Sequence, residues 1–334
     1  MVCSLLLLAL PAVPATDPGE GVVSLTHKRY RDWDIELPAE SFTPVGDSIR
    51  LEGGRRVYAA ALEGTLLRLD LDGDGVTDVA LEGETASVLL RGADGFRYAA
   101  RLRQGPNGWV YAASGAMVGE LDGHRVALID QDNDGLYGEI GQDAILVGRG
   151  KVATFLGETL SFGGELRSVD ASPDGRELRL ASYRGETGRL NVAGGFDGQG
   201  KILSAVVRSS DGRHCFDLAR TEGPTTVPAG RYRLESGKIG MATMAVTVGP
   251  GGSPAIEVPA GGETTFEWGG PVRAEFGFQR QGDQLAFSPD HIWYFGEGGE
   301  QYLKWWPVGK SPVFTVIDKT TEQEVARAMF PGSC

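Results

Sequence analysis

Short apolar runs, each closed by a turn residue, constrain the fold of this chain more than any other feature. The first of them are YAAALEGTLLRLDL (58–71), ETASVLLRG (84–92), FRYAARLR (96–103), GWVYAA (108–113), HRVALID (124–130) and AILVG (144–148). Gly, Asp and Asn separate these runs, and Gly accounts for 50 of the 334 residues, about twice its average share. Short runs that alternate apolar and polar residues between turns predict an all-β chain.

Two Asp-rich segments, here called loop one and loop two, lie between these runs. Loop one contains Asp70, Asp72, Asp74 and Gly75, and loop two contains Asp130, Asp132, Asp134 and Gly135. Carboxylates at positions 1, 3 and 5 of a tight loop converge on one point, and Gly at position 6 permits the sharp turn. Because two carboxylates about 5 Å apart repel by about 3 kcal/mol at an effective dielectric constant of about 20, this spacing predicts bound Ca²⁺ as a cofactor.

The remaining ligands follow from the positions of a calcium-binding loop. In loop one, the carbonyl oxygen of Val76 takes position 7 and Asp78 takes position 9. In loop two, the carbonyl oxygen of Leu136 takes position 7, and Asp143 is expected to close the site. Both loops lack the usual Glu at position 12, which predicts modest affinity and a structural role. The alternative is that both segments are polar β-turns, in which Asp-Gly is common.

The residues on both sides of each loop are apolar and strand-forming, which argues against a helix–loop–helix EF-hand despite the EF-hand-like loop chemistry. The segments LEGTLLRLDLDGDG (62–75) and LDGHRVALIDQDNDG (121–135) form a weak internal repeat. The Asp loops resemble those of thrombospondin type-3 repeats and dockerins. The chain has neither the tandem repeats of the first nor the helix pair of the second, so the resemblance is confined to the loops.

Four segments are predicted along the chain. Residues 1–15 end in the apolar run SLLLLALPAVPA, which is too short to span a bilayer and is typical of a signal peptide cut after Ala15. The alternative for this run is a buried N-terminal strand. Residues 16–150 are predicted to form a β domain with both calcium loops, residues 151–222 a β region that continues or adjoins it, and residues 223–334 a β-sandwich. The start of the β domain, residues 16–50, is predicted to be irregular.

The β-sandwich segment begins with the string VPAG-x-Y-x-L at 227–234. This string resembles the turn and strand of transthyretin-like or carboxypeptidase-regulatory-like β-sandwich domains. The resemblance covers about ten residues and implies an accessory, non-catalytic sandwich. Aromatic residues near the C-terminus are candidates for contact with a ligand, and the alternative for them is core packing. These candidates are Trp293, Tyr302, Trp305 and Trp306.

Charge and cysteine content limit the partners and the compartment. The net charge is −13, which argues against nucleic acid and anionic membrane as partners. After removal of a signal peptide, Cys215 and Cys334 would remain, and such a pair is a candidate disulfide in an oxidising compartment. The alternative is two unrelated thiols. The chain is therefore expected to be secreted, periplasmic or at the cell surface, without a membrane span.

No HExxH, GxSxG or Gly-rich phosphate loop is present in the sequence. The sequence therefore favours binding over catalysis. It predicts a secreted or cell-envelope structural or adhesive protein that is stabilised by calcium and binds an extracellular glycan or protein. The alternative function is an accessory or degenerate hydrolase that acts on extracellular polysaccharide or peptide.

Overall fold

The computed structural model describes residues 21–53, 55–92, 94–162, 164–219, 221, 223–241, 244–282, 284–305 and 313–329. The predicted signal peptide, Trp306 and Cys334 lie outside the described residues. Across the described ranges the chain is built from β-strands, with a single short 3₁₀ turn at Ala193–Gly195, which confirms the predicted all-β class. No helix in this part of the chain is both long and apolar enough to cross a membrane.

The strands of the N-terminal part are β1 (Gly21–Ser24), β2 (Thr26–Arg29), β3 (Thr43–Pro44), β4 (Ser48–Leu51), β5 (Arg56–Glu63), β6 (Leu66–Leu69), β7 (Val79–Leu81), β8 (Thr85–Arg91), β9 (Arg97–Gly105), β10 (Gly108–Ala113), β11 (Gly115–Leu121), β12 (His124–Ile129), β13 (Ala144–Val147), β14 (Thr154–Phe155), β15 (Thr159–Phe162), β16 (Glu165–Ala171) and β17 (Glu177–Ser182). Most neighbours along the chain pair as antiparallel hairpins. The predicted run at 58–71 divides into β5 and β6, because Gly64 turns the chain at φ 65°.

The strands of the C-terminal part are β18 (Thr187–Asn191), β19 (Phe196–Asp197), β20 (Lys201–Ser209), β21 (Cys215–Asp217), β22 (Thr225–Pro228), β23 (Gly230–Met241), β24 (Met244–Gly249), β25 (Ile256–Val258), β26 (Glu263–Thr265), β27 (Trp268–Gly269), β28 (Arg273–Gln281), β29 (Gln284–Phe295), β30 (Gln301–Leu303), β31 (Val313–Ile317) and β32 (Glu324–Met329). The largest sheet has the order β21-β20-β23-β24-β30-β29-β28, and β25 also pairs with β23. This sheet joins β20 and β21, from the segment predicted to precede residue 223, to strands that follow it. The domain boundaries stay a prediction.

Four antiparallel sheets make up the N-terminal part. They are β4-β5-β6-β7, β3-β10-β9-β8, β14-β13-β12-β11-β2 and β1-β17-β16-β15. The segment predicted to be irregular supplies β1, β2 and β3, and each of these strands adds to the edge of a different sheet. The prediction was wrong there because these short strands gain their hydrogen bonds from partners far along the chain.

The buried side chains form two large hydrophobic clusters, one from residues before position 181 and one from residues after position 189. The first is built from β-strand side chains between Leu25 and Leu180, and the second from side chains between Leu190 and Tyr302. In β17 alternate residues face inward, with Leu178 and Leu180 buried on either side of the exposed Arg179, whereas in β12 the last four residues are all buried. Both Asp loops belong to the part of the chain that builds the first cluster.

Candidate metal centres

Each Asp loop joins two neighbouring antiparallel strands. Loop one connects β6 to β7, whose residues Leu69 and Val79 pair, and loop two connects β12 to β13, whose residues Ile129 and Ala144 pair. The strand pair therefore closes the base of each loop and places its first and last acids beside each other. This is why Asp143, immediately before β13, lies next to Asp130, immediately after β12.

Loop two gathers carboxylates in the interior of the protein. Oxygens of Asp130, Asp132 and Asp134 all lie within 4.8 Å of one another. Asp130 and Asp143 are each 0% exposed, and Glu139 lies close enough to interact with Asp134. The structure thus groups three of the four loop-two acids that the sequence singled out. Asp143 lies outside this group but close enough to interact electrostatically with it, and Glu139 is a further acid beside it.

Backbone N–H groups hold Asp130 in place. Its Oδ1 accepts hydrogen bonds from the N–H groups of Asn133, at 2.6 Å, and Asp134, at 3.3 Å, and its Oδ2 accepts one from Gly135, at 2.7 Å. Asp134 in turn accepts a hydrogen bond from the N–H of Leu136, at 2.7 Å. These contacts bend the loop around its first carboxylate, as position 1 of a calcium-binding loop requires.

The acids of loop two are electrostatically strained when no cation is near. Burial, together with the charges of Asp132 and Asp134, raises the pKa of Asp143 from 3.8 to about 8, although the N–H of Glu139 opposes this shift. Burial and the charge of Asp143 raise the pKa of Asp130 well above its usual value. A low-dielectric site with several like charges disfavours ionisation, and a divalent cation reverses that preference.

Two carboxylate oxygens of loop two have no hydrogen-bond donor among the described residues. They are Oδ1 of Asp132 and Oδ1 of Asp143, and both atoms are buried. The other oxygen of Asp143, Oδ2, accepts a hydrogen bond from the N–H of Glu139 at 2.9 Å. Buried polar atoms nearly always have a partner, and several flexible carboxylate and carbonyl oxygens around one point form the ligand set that Ca²⁺ prefers. The residues of loop two therefore fit a calcium ion.

Two amide side chains between the acids anchor loop two, and sequence reasoning did not identify them. Asn133 lies at φ 71°, its Oδ1 accepts a hydrogen bond from the N–H of Ala113 at 2.8 Å, and its Nδ2 donates to Ser41. Gln131 accepts a hydrogen bond from the N–H of Ala39 at 3.2 Å. One feature of the sequence could have identified Asn133. It stands at position 4 of the loop, where the backbone adopts the left-handed conformation that Asn tolerates better than most residues.

Loop one is far more exposed to solvent. Asp70 is only 2% exposed, but residues 72–78 are all exposed. Oxygens of Asp70, Asp72 and Asp78 lie within 4.8 Å of one another, whereas Asp74 lies outside this group. Val76, whose carbonyl was predicted as a ligand, has a side chain that is 64% exposed. The structure thus groups three of the four predicted acids of this loop.

The carboxylates of loop one find donors within their own loop. Asp70 accepts hydrogen bonds from the N–H groups of Asp72, Gly73 and Gly75 at 2.7–3.0 Å. Asp78 accepts one from the N–H of Leu71 at 2.6 Å. Burial acts to raise the pKa of Asp70, but these backbone donors outweigh it and hold that pKa below its usual value. Loop one is therefore a loop whose first carboxylate is stable in its ionised form.

The aromatic candidates near the C-terminus occupy different environments. Trp293 is 40% exposed and stacks on His291 with ring centroids 6.2 Å apart. Tyr302 is buried, and Trp305 packs against it with ring centroids 5.6 Å apart. Tyr302 and Trp305 line a small cavity of about 240 Å³. The structure does not gather these residues into one exposed patch.

Cys215, which was predicted to form a disulfide with Cys334, is buried. Burial raises the pKa of its thiol to about 12, which makes it a poor nucleophile near neutral pH. Its predicted partner lies outside the described residues, so the disulfide stays a prediction.

No protein-family model, curated protein or solved structure matches the chain. The functional assignment therefore depends on the geometry described above.

Proposed function

We propose that the protein is a secreted or cell-envelope binding protein, structural or adhesive in role, whose N-terminal β region is stabilised by calcium in loop two. The observation that carries this proposal is the unpartnered, buried Oδ1 of Asp143, which faces the charges of Asp132 and Asp134. A second unpartnered oxygen belongs to Asp132. A cation at this point would give both oxygens a partner.

The kind of cation follows from the ligands. Asp130, Asp132, Asp134 and Asp143 offer carboxylate oxygens, and the carbonyl of Leu136 offers another at position 7. A set of many flexible oxygens suits Ca²⁺ better than Mg²⁺, which keeps an octahedral shell with several waters. Calcium sites of extracellular modules bind at about 0.1–1 mM. Such affinity matches an environment rich in calcium, and the apolar run at residues 4–15 supports export.

The proposed role of the cation is structural. Loop two contacts residues from distant parts of the chain: the N–H of Gly53 donates to the carbonyl of Asp134, and the N–H of Tyr137 donates to the carbonyl of Pro173. Together with the hydrogen bonds of Asn133, these contacts join three sheets at one loop. Calcium that fixes the shape of loop two would therefore stabilise the whole N-terminal part.

The alternative function, a hydrolase, receives less support from the acids that line a cavity of about 720 Å³ beside loop two. The N–H of Phe96 and the guanidinium of Arg56 lower the pKa of Asp94. Burial acts to raise the pKa of Asp174, but hydrogen bonds from Ser172 and Arg176 outweigh it and the pKa is lowered. A general acid must hold a proton near neutral pH, so neither carboxyl suits that role.

The proposal is tested by thermal unfolding of the full chain with excess calcium and with EGTA. We expect calcium to raise the melting temperature, and we expect Asp143→Asn to weaken calcium binding at least about tenfold, because it removes a buried charged ligand. The matched control is Asp32→Asn, which removes an exposed acid outside both loops. Equal melting temperatures with calcium and with EGTA would refute a stabilising metal.

A further inference from the structure

A large cavity opens beside loop two, and we call it the loop-two cavity. Its volume is about 720 Å³, within the range of about 300–1,000 Å³ that is usual for small-molecule sites. Residues 25–27, 94–97, 135–137 and 173–176 form most of its walls. Loop two therefore supplies one wall, and other segments of the N-terminal part, with Gly53, Arg56 and Met117, supply the rest.

The cavity carries more positive than negative charge in a protein whose net charge is −13. Arg56 pairs with Asp94 at 2.6 Å, and Arg176 pairs with Asp174 at 3.6 Å. The third arginine of the cavity, Arg97, is exposed and forms no ion pair with the described residues. One guanidinium in the cavity wall is thus left without a counter-charge.

A second observation points to an anion near Arg97. In the β8–β9 hairpin Arg97 lies directly opposite Arg91. Like charges in opposite positions of neighbouring strands destabilise a hairpin, and Arg91 also forms no ion pair within the described ranges. A bound carboxylate would relieve this repulsion and accept two parallel hydrogen bonds from a guanidinium.

The remaining walls favour a ring that carries hydroxyl groups. Gly53, Gly95 and Gly135 line the cavity, and Gly53 packs so closely on Gly135 that a Cβ at Gly53 would lie only 2.0 Å from its carbonyl oxygen. The carboxylates of Asp94 and Asp174 can accept further hydrogen bonds from hydroxyls. An apolar wall for a ring face is formed by Leu25, Phe96, Met117, Leu136 and Tyr137.

We propose that the loop-two cavity binds an acidic saccharide, with the carboxylate of a uronic acid residue at Arg97. This inference deepens the proposed binding function and rests on it, since loop two forms one wall of the site. A neutral sugar would leave Arg97 unpaired. A fatty acid or an acidic peptide would place no ring hydroxyls beside the carboxylates of Asp94 and Asp174.

The test is calorimetric titration of the full chain with digalacturonate, the disaccharide of galacturonic acid, in calcium at low ionic strength. We expect saturable binding that weakens with added salt, because the contact is between charged groups. Arg97→Gln should weaken it at least about tenfold, since the substitution removes the charge-assisted hydrogen bonds to the carboxylate. The control variant Arg231→Gln, at an exposed arginine of β23, should bind as the unaltered chain does.

Two further probes decide the ligand class. The neutral disaccharide galactobiose and the dipeptide Glu-Glu should bind at least about tenfold more weakly than digalacturonate. Equal binding of either probe, or an unchanged affinity in Arg97→Gln, would overturn the assignment to an acidic saccharide. If calcium stabilises the chain but digalacturonate does not bind, the cavity assignment fails alone. If digalacturonate binds through Arg97 but calcium has no effect on stability, the proposed calcium role fails alone.

Discussion

Loops one and two share the pattern of Asp at positions 1, 3 and 5 and Gly at position 6, yet the protein buries one and exposes the other. The difference lies in the residues between the acids. Positions 2 and 4 are Leu71 and Gly73 in loop one, and Gln131 and Asn133 in loop two. The two amides of loop two form hydrogen bonds to distant segments, which cover that loop and remove its carboxylates from water. The residues between the acids thus distinguish a buried loop from an exposed one.

The largest expected effect comes from removing the first carboxylate of each loop. In excess calcium, Asp130→Ala should lower the free energy of unfolding by about 3 kcal/mol, because three buried N–H groups lose their acceptor. Asp70→Ala should lower it by about 1 kcal/mol, since water can reach the N–H groups of loop one. Urea unfolding measures both values. Equal losses would remove the distinction between the loops.

In EGTA the cost of Asp130→Ala should shrink, because the same substitution also relieves the repulsion between Asp130 and Asp143. The cost of Asp70→Ala should depend less on calcium. A cost of Asp130→Ala that is identical with and without calcium would mean that loop two holds no cation.

The residues at position 4 of the two loops, Gly73 and Asn133, provide the second comparison. Asn133→Gly should lower the free energy of unfolding by about 2 kcal/mol, because it removes the hydrogen bonds to Ala113 and Ser41 from a buried site. Gly73→Asn should change it by less than about 0.5 kcal/mol, since Asn tolerates the φ of 81° and a Cβ there meets its nearest atom at 3.6 Å. A large loss in Gly73→Asn would show that loop one is more tightly packed than its exposure indicates.

The third comparison measures how much stability calcium adds when one ligand of either loop is neutralised. At a tenfold excess over the dissociation constant, calcium in one site should add about 1.4 kcal/mol to the free energy of unfolding. Asp132→Asn in loop two should abolish most of this gain, while Asp72→Asn in loop one should keep it. Denaturant unfolding at several calcium concentrations measures the gain for each variant. The reverse order of effects would place the stabilising ion in loop one.

The smallest expected effect is a pH dependence at the wall of the loop-two cavity. Burial, and then the charge of Arg97, lowers the pKa of His27 from 6.5 to about 4. The unfolded chain therefore binds a proton more readily than the folded protein, so stability falls as the pH drops from about 6.5 towards 4. Because the ring is partly exposed, we expect a loss of about 1 kcal/mol. Urea unfolding at several pH values measures the free energy of unfolding. The difference in its pH dependence between the unaltered chain and His27→Leu separates this loss from the titration of the acids.

The all-β class and the grouping of most loop acids could be predicted from the sequence because both depend on local patterns. Asp143 was predicted as a closing ligand because it opens the next strand, and the pairing of Ile129 with Ala144 explains why it lies beside Asp130. The roles of Asn133 and Gln131 could not be predicted, since their partners lie some ninety or twenty residues away in the chain. The loop-two cavity likewise joins several separated segments, which no local pattern reveals.

The edge strands near the N-terminus have a consequence for the order of assembly. β1 pairs with β17, β2 with β11 and β3 with β10, so each must wait until a much later part of the chain has been made. Pairing across such sequence distances is slow, because a long loop must close before any contact is gained. The β6–β7 and β12–β13 hairpins, by contrast, are local. The edge strands β1, β2 and β3 are therefore expected to pair after the local hairpins, and their unpaired edges stay open to other chains until then.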